Sequence, residues 1–131
     1  MPTQPAEQEL IENGSKKISN GDVQKVVEKA DAIRQKFTGG GPLSRFIEDG
    51  QLLIALVKDY WSGAYRQVPY ATIAAVVFTL IYVLNPLDLV PDVLPIIGEL
   101  DDATVFAGCL LFIEHDLQVY KAWKLAQETM P

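Results

Sequence analysis

Residues 1–19 are polar, interrupted by Pro2, Pro5 and Gly14, and carry no sustained apolar stripe. They predict a mobile tail with a short helical turn around Ala6–Asn13. From residue 21 the pattern changes. Val23, Val26, Val27, Ala30, Ile33 and Phe37 form one apolar stripe at helical period, with charged residues over most of the rest. This predicts a first amphipathic helix over roughly 21–37, capped by Ser19 or Asn20. Thr38-Gly39-Gly40-Gly41-Pro42 ends it. No Lys-Ser/Thr follows the glycines, so the stretch reads as a linker rather than a phosphate-binding loop. A second helix is predicted over roughly 43–61, where Leu43, Phe46, Ile47, Leu53, Leu56, Val57 and Tyr60 share a face. Gly50 inside it marks a kink or a close contact, and Ser62-Gly63 is a stop.

Beyond the connector the alternation disappears. Residues 70–84, Y-A-T-I-A-A-V-V-F-T-L-I-Y-V-L, are apolar on every side of a helix that Pro69 suits as a first-turn residue. Such a helix is either the buried centre of a bundle or a membrane segment. Val68–Leu84 would cover about 25 Å at 1.5 Å per residue, the lower limit for crossing about 30 Å of hydrocarbon. A fourth helix is predicted from Asp101 or Asp102 to about Gln127, apolar in its first three turns and amphipathic from Glu114. Ala103 and Ala107, Thr104 and Gly108, and Thr72, Ala75 and Thr79 form small-residue stripes that favour close packing of helices three and four.

The predicted fold class is therefore all-α, with about four helices. An apolar hairpin of helices three and four surrounds a Pro/Asp-rich turn and is covered by the two amphipathic helices. The expected divisions are a tail over 1–19, an amphipathic helical pair over 20–66 and a hairpin domain over 67–127.

Charge sharpens the picture. Nine of the eleven basic residues lie within residues 1–66, none lies in 67–113, and Lys121 and Lys124 follow. The net charge of −6, with bases interleaved among acids, speaks against nucleic acid as a partner. The single cysteine, Cys109, sits in an apolar run and reads as a buried, unreactive thiol. His115 has no nucleophile or second ligand beside it in sequence, so catalysis is not assigned to it. Tyr65, Tyr70, Tyr82, Tyr120, Trp61 and Trp123 sit near the ends of the apolar runs, as in an interfacial belt or at the rim of a core.

The densest special chemistry lies between Tyr82 and Asp102. Asn85-Pro86-Leu87-Asp88 matches a type I turn, and Pro86, Pro91 and Pro95 oppose a continuous helix. Gly98 can supply a positive φ, and Asp101 or Asp102 can cap the next helix. Convergence of Asp88, Asp92, Asp101 and Asp102 would instead call for Mg²⁺ or Ca²⁺, shared protons, or a base from elsewhere such as Arg45, Lys58 or Arg66.

At these residues the chain resembles the YkvA-like family, small and mostly bacterial proteins with a domain of unknown function. Tyr82, Pro86, Asp88, Leu89, Pro91, Asp92, Pro95, Gly98, Asp101 and Asp102 match its pattern, while Asn85 stands where serine is usual. The resemblance spans roughly residues 68–115. It implies membrane association and no established reaction.

Three functions follow as expectations. The first is a membrane-associated, non-enzymatic module in which residues 68–113 insert as a tight hairpin with the acidic turn at the far interface or re-entrant, sited on the cytoplasmic side with both termini cytoplasmic, since basic residues flank the apolar segment. The second is a soluble cytoplasmic four-helix protein that binds another protein. The third is a divalent-metal activity centred on the aspartates. No cofactor is expected under the first two.

Overall fold

A computed structural model describes residues 6–85 and 101–129. Among them are seven α-helices and one 3₁₀ turn, with no strand: α1 (Ala6–Ser15), α2 (Asn20–Glu28), α3 (Ala30–Thr38), the 3₁₀ turn Pro42–Phe46, α4 (Ile47–Ser62), α5 (Tyr70–Leu84), α6 (Asp102–Phe112) and α7 (Glu114–Thr129). The all-α expectation holds. The larger helix count arises from bends inside predicted helices and from a helix where a tail was expected.

The first predicted helix is α2 and α3 joined at Lys29. Lys29 N–H still donates to Lys25 O, and Ile33 N–H to Lys29 O, so the apolar stripe continues through a bend. Ser19 precedes α2 as its N-cap, and Asp22 Oδ2 accepts the Ser19 backbone N–H at 3.0 Å. The second predicted helix opens with the 3₁₀ turn at Pro42 and ends at Gly63, whose φ of 89° satisfies the left-handed closing position. Gly50 is the close contact: a Cβ there would lie 2.9 Å from ring atoms of Phe37. The fourth predicted helix bends at Ile113, which separates α6 from α7.

Helix α5 is the centre of the molecule. Every residue from Thr72 to Val83 is buried, and α5 touches α1, α2, α3, α4 and α6. This corrects the expectation of a spanning helix. Its fifteen residues extend about 22 Å, short of about 30 Å of hydrocarbon. No helix among the described residues is long and apolar enough to cross a membrane.

Helices α5 and α6 form the predicted hairpin. Asp102 and Asp101 lie near Tyr82, Cys109 Sγ lies 3.8 Å from Ala75 O, and Thr72 Oγ1 donates to Asp116. The pairing runs in opposite directions along the two segments, so they are antiparallel. The thiol of Cys109 is fully buried, as expected, and burial pushes its pKa up to about 12.

The segment read as a tail differs most. Residues 6–15 form α1, with Leu10 and Ile11 fully buried and Gly14 pressed on Phe78. Gln8 Nε2 donates to Gly108 O at 2.7 Å. The small residue Gly108 therefore admits α1 rather than α5. Full burial of Leu10 and Ile11 contributes roughly 3–6 kcal/mol before the cost of ordering the helix.

Candidate functional site

Of the signature, the described residues hold Tyr82, Asn85, Asp101 and Asp102. Pro86, Asp88, Pro91, Asp92, Pro95 and Gly98 lie outside them. The turn expectations for those six, and the possible convergence of Asp88 and Asp92 with the later aspartates, therefore lie outside the described structure.

Asp101 is the N-cap of α6. Its Oδ1 accepts the Thr104 backbone N–H at 2.7 Å. That bond is the main reason its carboxyl titrates below the ordinary value, and the charge of Arg45 adds to it. Asp102, in the first turn, is partly buried. Desolvation raises its pKa, the neighbouring Asp101 charge raises it further, and Lys36 opposes the shift. Tyr82 is buried beneath the pair. Burial first, then Asp102 and Asp101, pushes its hydroxyl up to about 12.

These groups border a cleft of about 410 Å³ between the α3–α4 loop and the start of α6. Among the described residues it is lined by Gln35, Lys36, Gly39, Gly41, Pro42, Leu43, Asp101, Asp102 and Ala103. The glycine-rich linker thus forms one wall beside the two aspartates. Arg45 was a foreseen basic neighbour. Lys36 was not, because nothing in the spacing of α3 ties it to a residue so distant in sequence. Arg66 is engaged elsewhere, stacking over Tyr60 and donating to Tyr60 O at 2.8 Å. No three His, Cys, Asp or Glu side chains gather in metal-binding geometry among the described residues.

The aromatics expected as a belt divide between core and surface. Tyr65, Tyr82 and Tyr120 are buried, and Tyr65 packs on Tyr120 and Trp123. Tyr120 donates to Asp59 Oδ2 at 2.6 Å, and Lys124 reaches the same oxygen at 3.2 Å, pinning α7 to α4. Trp61 and Tyr70 remain exposed.

The largest apolar exposure is on the outer side of α6 and α7. Leu111 is 68% exposed and Leu125 62%, with Phe112 and Val119 exposed as well. Leu111, His115, Gln118, Ala122 and Leu125 follow three- and four-residue spacing. Val119 and Ala126 flank them, and all are exposed. Glu114 and Lys121 border that face and, with Asp49, line the same shallow recess as Leu111 and Gln118, while Leu117 and Tyr120 are buried.

Residues 72–108 match the model of a family described as a protein of unknown function, DUF1232. A curated relative, the "Uncharacterized membrane protein YkvA" of Bacillus subtilis (strain 168), is 30% identical over 70 residues. Both matches support a likeness to the YkvA-like family. The aligned region covers 53% of this chain and 66% of that relative, just under two thirds of the relative's length. No solved structure matches the chain. The matched residues 72–108 take in α5 from Thr72, α6 up to Gly108 and the acidic segment between them in sequence, whereas α1 to α4 and α7 lie outside.

Proposed function

We propose that this chain is a membrane-associated, non-enzymatic helical module that rests on the bilayer as a folded bundle. It docks through the outer face of α6 and α7 and keeps its acidic Pro-rich turn away from hydrocarbon. The exposed apolar side chains of Leu111, Phe112, Val119 and Leu125 carry the proposal. An amphipathic helix with such a face lies in the headgroup–acyl boundary without spanning it. The relative's description as a membrane protein favours the same partner. With no span in this reading, both termini stay on one side, which we assign to the cytoplasm.

Flotation with phospholipid vesicles tests it. Each leucine transferred contributes about 1–2 kcal/mol. Leu111→Glu with Leu125→Glu therefore lowers vesicle partitioning by at least about tenfold with an unchanged circular dichroism spectrum. Wild-type protein that stays in the soluble fraction at every lipid concentration refutes the proposal. In that outcome the same face remains available to a protein partner, the alternative expectation. A carbonate wash should release the bound protein.

A further inference from the structure

We infer that the shallow recess where α4, α6 and α7 meet takes the headgroup of an ethanolamine phospholipid, its ammonium against Asp49 and Glu114 and its phosphate against Lys121. The inference rests on the membrane reading above and names the lipid class that the docking face prefers.

The recess has a volume of about 190 Å³. Leu110, Leu111 and Leu117 give it apolar walls, and Asp49, Glu114 and Lys121 give it charge. Leu111 belongs to both surfaces, as an exposed side chain of the docking face and as part of the recess. A lipid whose chains lie against Leu111 therefore has its headgroup within reach of the three charges. Those charges come from two helices. Asp49 stands in the first turn of α4, Glu114 in the first turn of α7, and Lys121 two turns further along α7. The helix dipole favours a carboxylate at each of the first two positions. It gives no reason for both to open on one recess with a lysine beside them. Among the described residues, the charged groups of all three make no hydrogen bond or ion pair. They are free for a ligand.

The kind of charge selects the headgroup. Two carboxylates and one ammonium complement a group that carries a cation and an anion together, as phosphoethanolamine does. Its primary ammonium has three N–H donors and can reach both acids. A choline headgroup has methyl groups in their place and is held by aromatic faces, and no described residue of the recess is aromatic. An anionic headgroup such as that of phosphatidylglycerol would meet Lys121 and be repelled by both acids, and the net charge of −6 adds to the repulsion. A lysine from a protein partner would match the acids and leave Lys121 unanswered. The ethanolamine headgroup answers all three.

Flotation on three kinds of vesicle tests it: phosphatidylcholine alone, phosphatidylcholine with phosphatidylethanolamine, and phosphatidylcholine with phosphatidylglycerol. Wild type should partition about fivefold more strongly when ethanolamine lipid is present, as two exposed charge pairs allow. Phosphatidylglycerol should give no gain. Salt at about 1 M should remove most of the ethanolamine preference in wild type, whereas a preference due to looser lipid packing would survive it. Asp49→Asn with Glu114→Gln should bring the ratio of ethanolamine to choline partitioning down to about one, and Lys121→Gln should lower it in part. A ratio that persists in high salt or in the double variant overturns the recess as its origin. Equal wild-type flotation on the choline and ethanolamine vesicles, or stronger flotation on phosphatidylglycerol, overturns the headgroup assignment while leaving membrane docking standing. Wild type that floats on none of the three overturns the docking reading and the headgroup site with it.

Discussion

Replacing Gly14 by alanine should destabilise the protein, although the same change at an exposed helical glycine stabilises it. Alanine gains about 1 kcal/mol over glycine inside a helix. Here the added Cβ would lie 2.0, 2.4 and 2.5 Å from three ring atoms of Phe78. Ordinary contact begins near 3.4 Å, so either the ring or α1 must shift by about an ångström or more. Phe78 is 1% exposed and has little room to turn. The cheaper response is for α1 to rise, which loosens Leu10 and Ile11. Overpacking of this kind costs about 1–3 kcal/mol, bounded by the roughly 3–6 kcal/mol that burying those two anchors contributes. A contact as close as 2.0 Å belongs in the upper half of that range, about 2–3 kcal/mol, so a net loss of about 1–2 kcal/mol remains after the propensity gain. That corresponds to roughly 4–8 °C in melting temperature for a domain of this size. Urea unfolding followed by circular dichroism measures the total. Hydrogen exchange of the α1 amides shows whether the loss is local to α1. Adding Phe78→Leu should recover part of it, with a coupling above about 0.5 kcal/mol in a double-mutant cycle. A Gly14→Ala protein as stable as wild type, or more so, would refute the packing of α1 on α5.

Three further outcomes are expected. Tyr120→Phe removes the bond to Asp59 and should cost about 1–3 kcal/mol by urea unfolding, whereas Lys124→Ala, at a partly exposed ion pair, should cost under about 1 kcal/mol. Cys109 is pushed from its ordinary value of 9.0 up to about 12, so the unfolded chain loses this proton first and stability falls as pH rises above 9, at about 1.4 kcal/mol per pH unit. Tyr82, raised from 10.0 to about 12, adds a loss of the same sign above pH 10. Cys109→Ala should therefore flatten the unfolding free energy between pH 9 and 10, and the wild-type thiol should resist Ellman's reagent until denatured. Asp101 titrates below its ordinary value because it caps α6, so its contribution is present above pH 3.8 and lost as pH falls through the lowered value. Melting curves at pH 7 should show Asp101→Ala lowered and Asp101→Asn, which keeps an acceptor, close to wild type.

Part of this fold was legible because helical periodicity is a local property. The stripe from Val23 to Phe37, the stop at Gly63, the start at Tyr70 after Pro69 and the Asp101 cap all depend on residues within a few turns of one another. The bends at Lys29 and Ile113 were not legible, since the apolar stripe runs through each without a break in spacing. Helix α1 escaped notice for a different reason. Leu10 and Ile11 are two adjacent apolar residues in a charged segment and make no periodic stripe. They become anchors because Gly14 and Gly108 admit close approach to a groove made by residues far along the chain. The site divides in the same way. The acids of the signature were visible as a cluster of special residues, and Asp101 has the capping duty expected of it. Lys36 joins Asp102 across the cleft because α3 and the start of α6 meet in space.

By itself the sequence determined that residues 70–84 form a helix that must leave water on every side, and that a second apolar helix starts near Asp101 or Asp102. It could not determine what takes the water's place. The hydrophobic effect demands removal of apolar surface and is indifferent to whether lipid or protein covers it. The tertiary structure decided that protein does, with α1 to α4 and α6 around α5. It also left one apolar face, on α6 and α7, still uncovered.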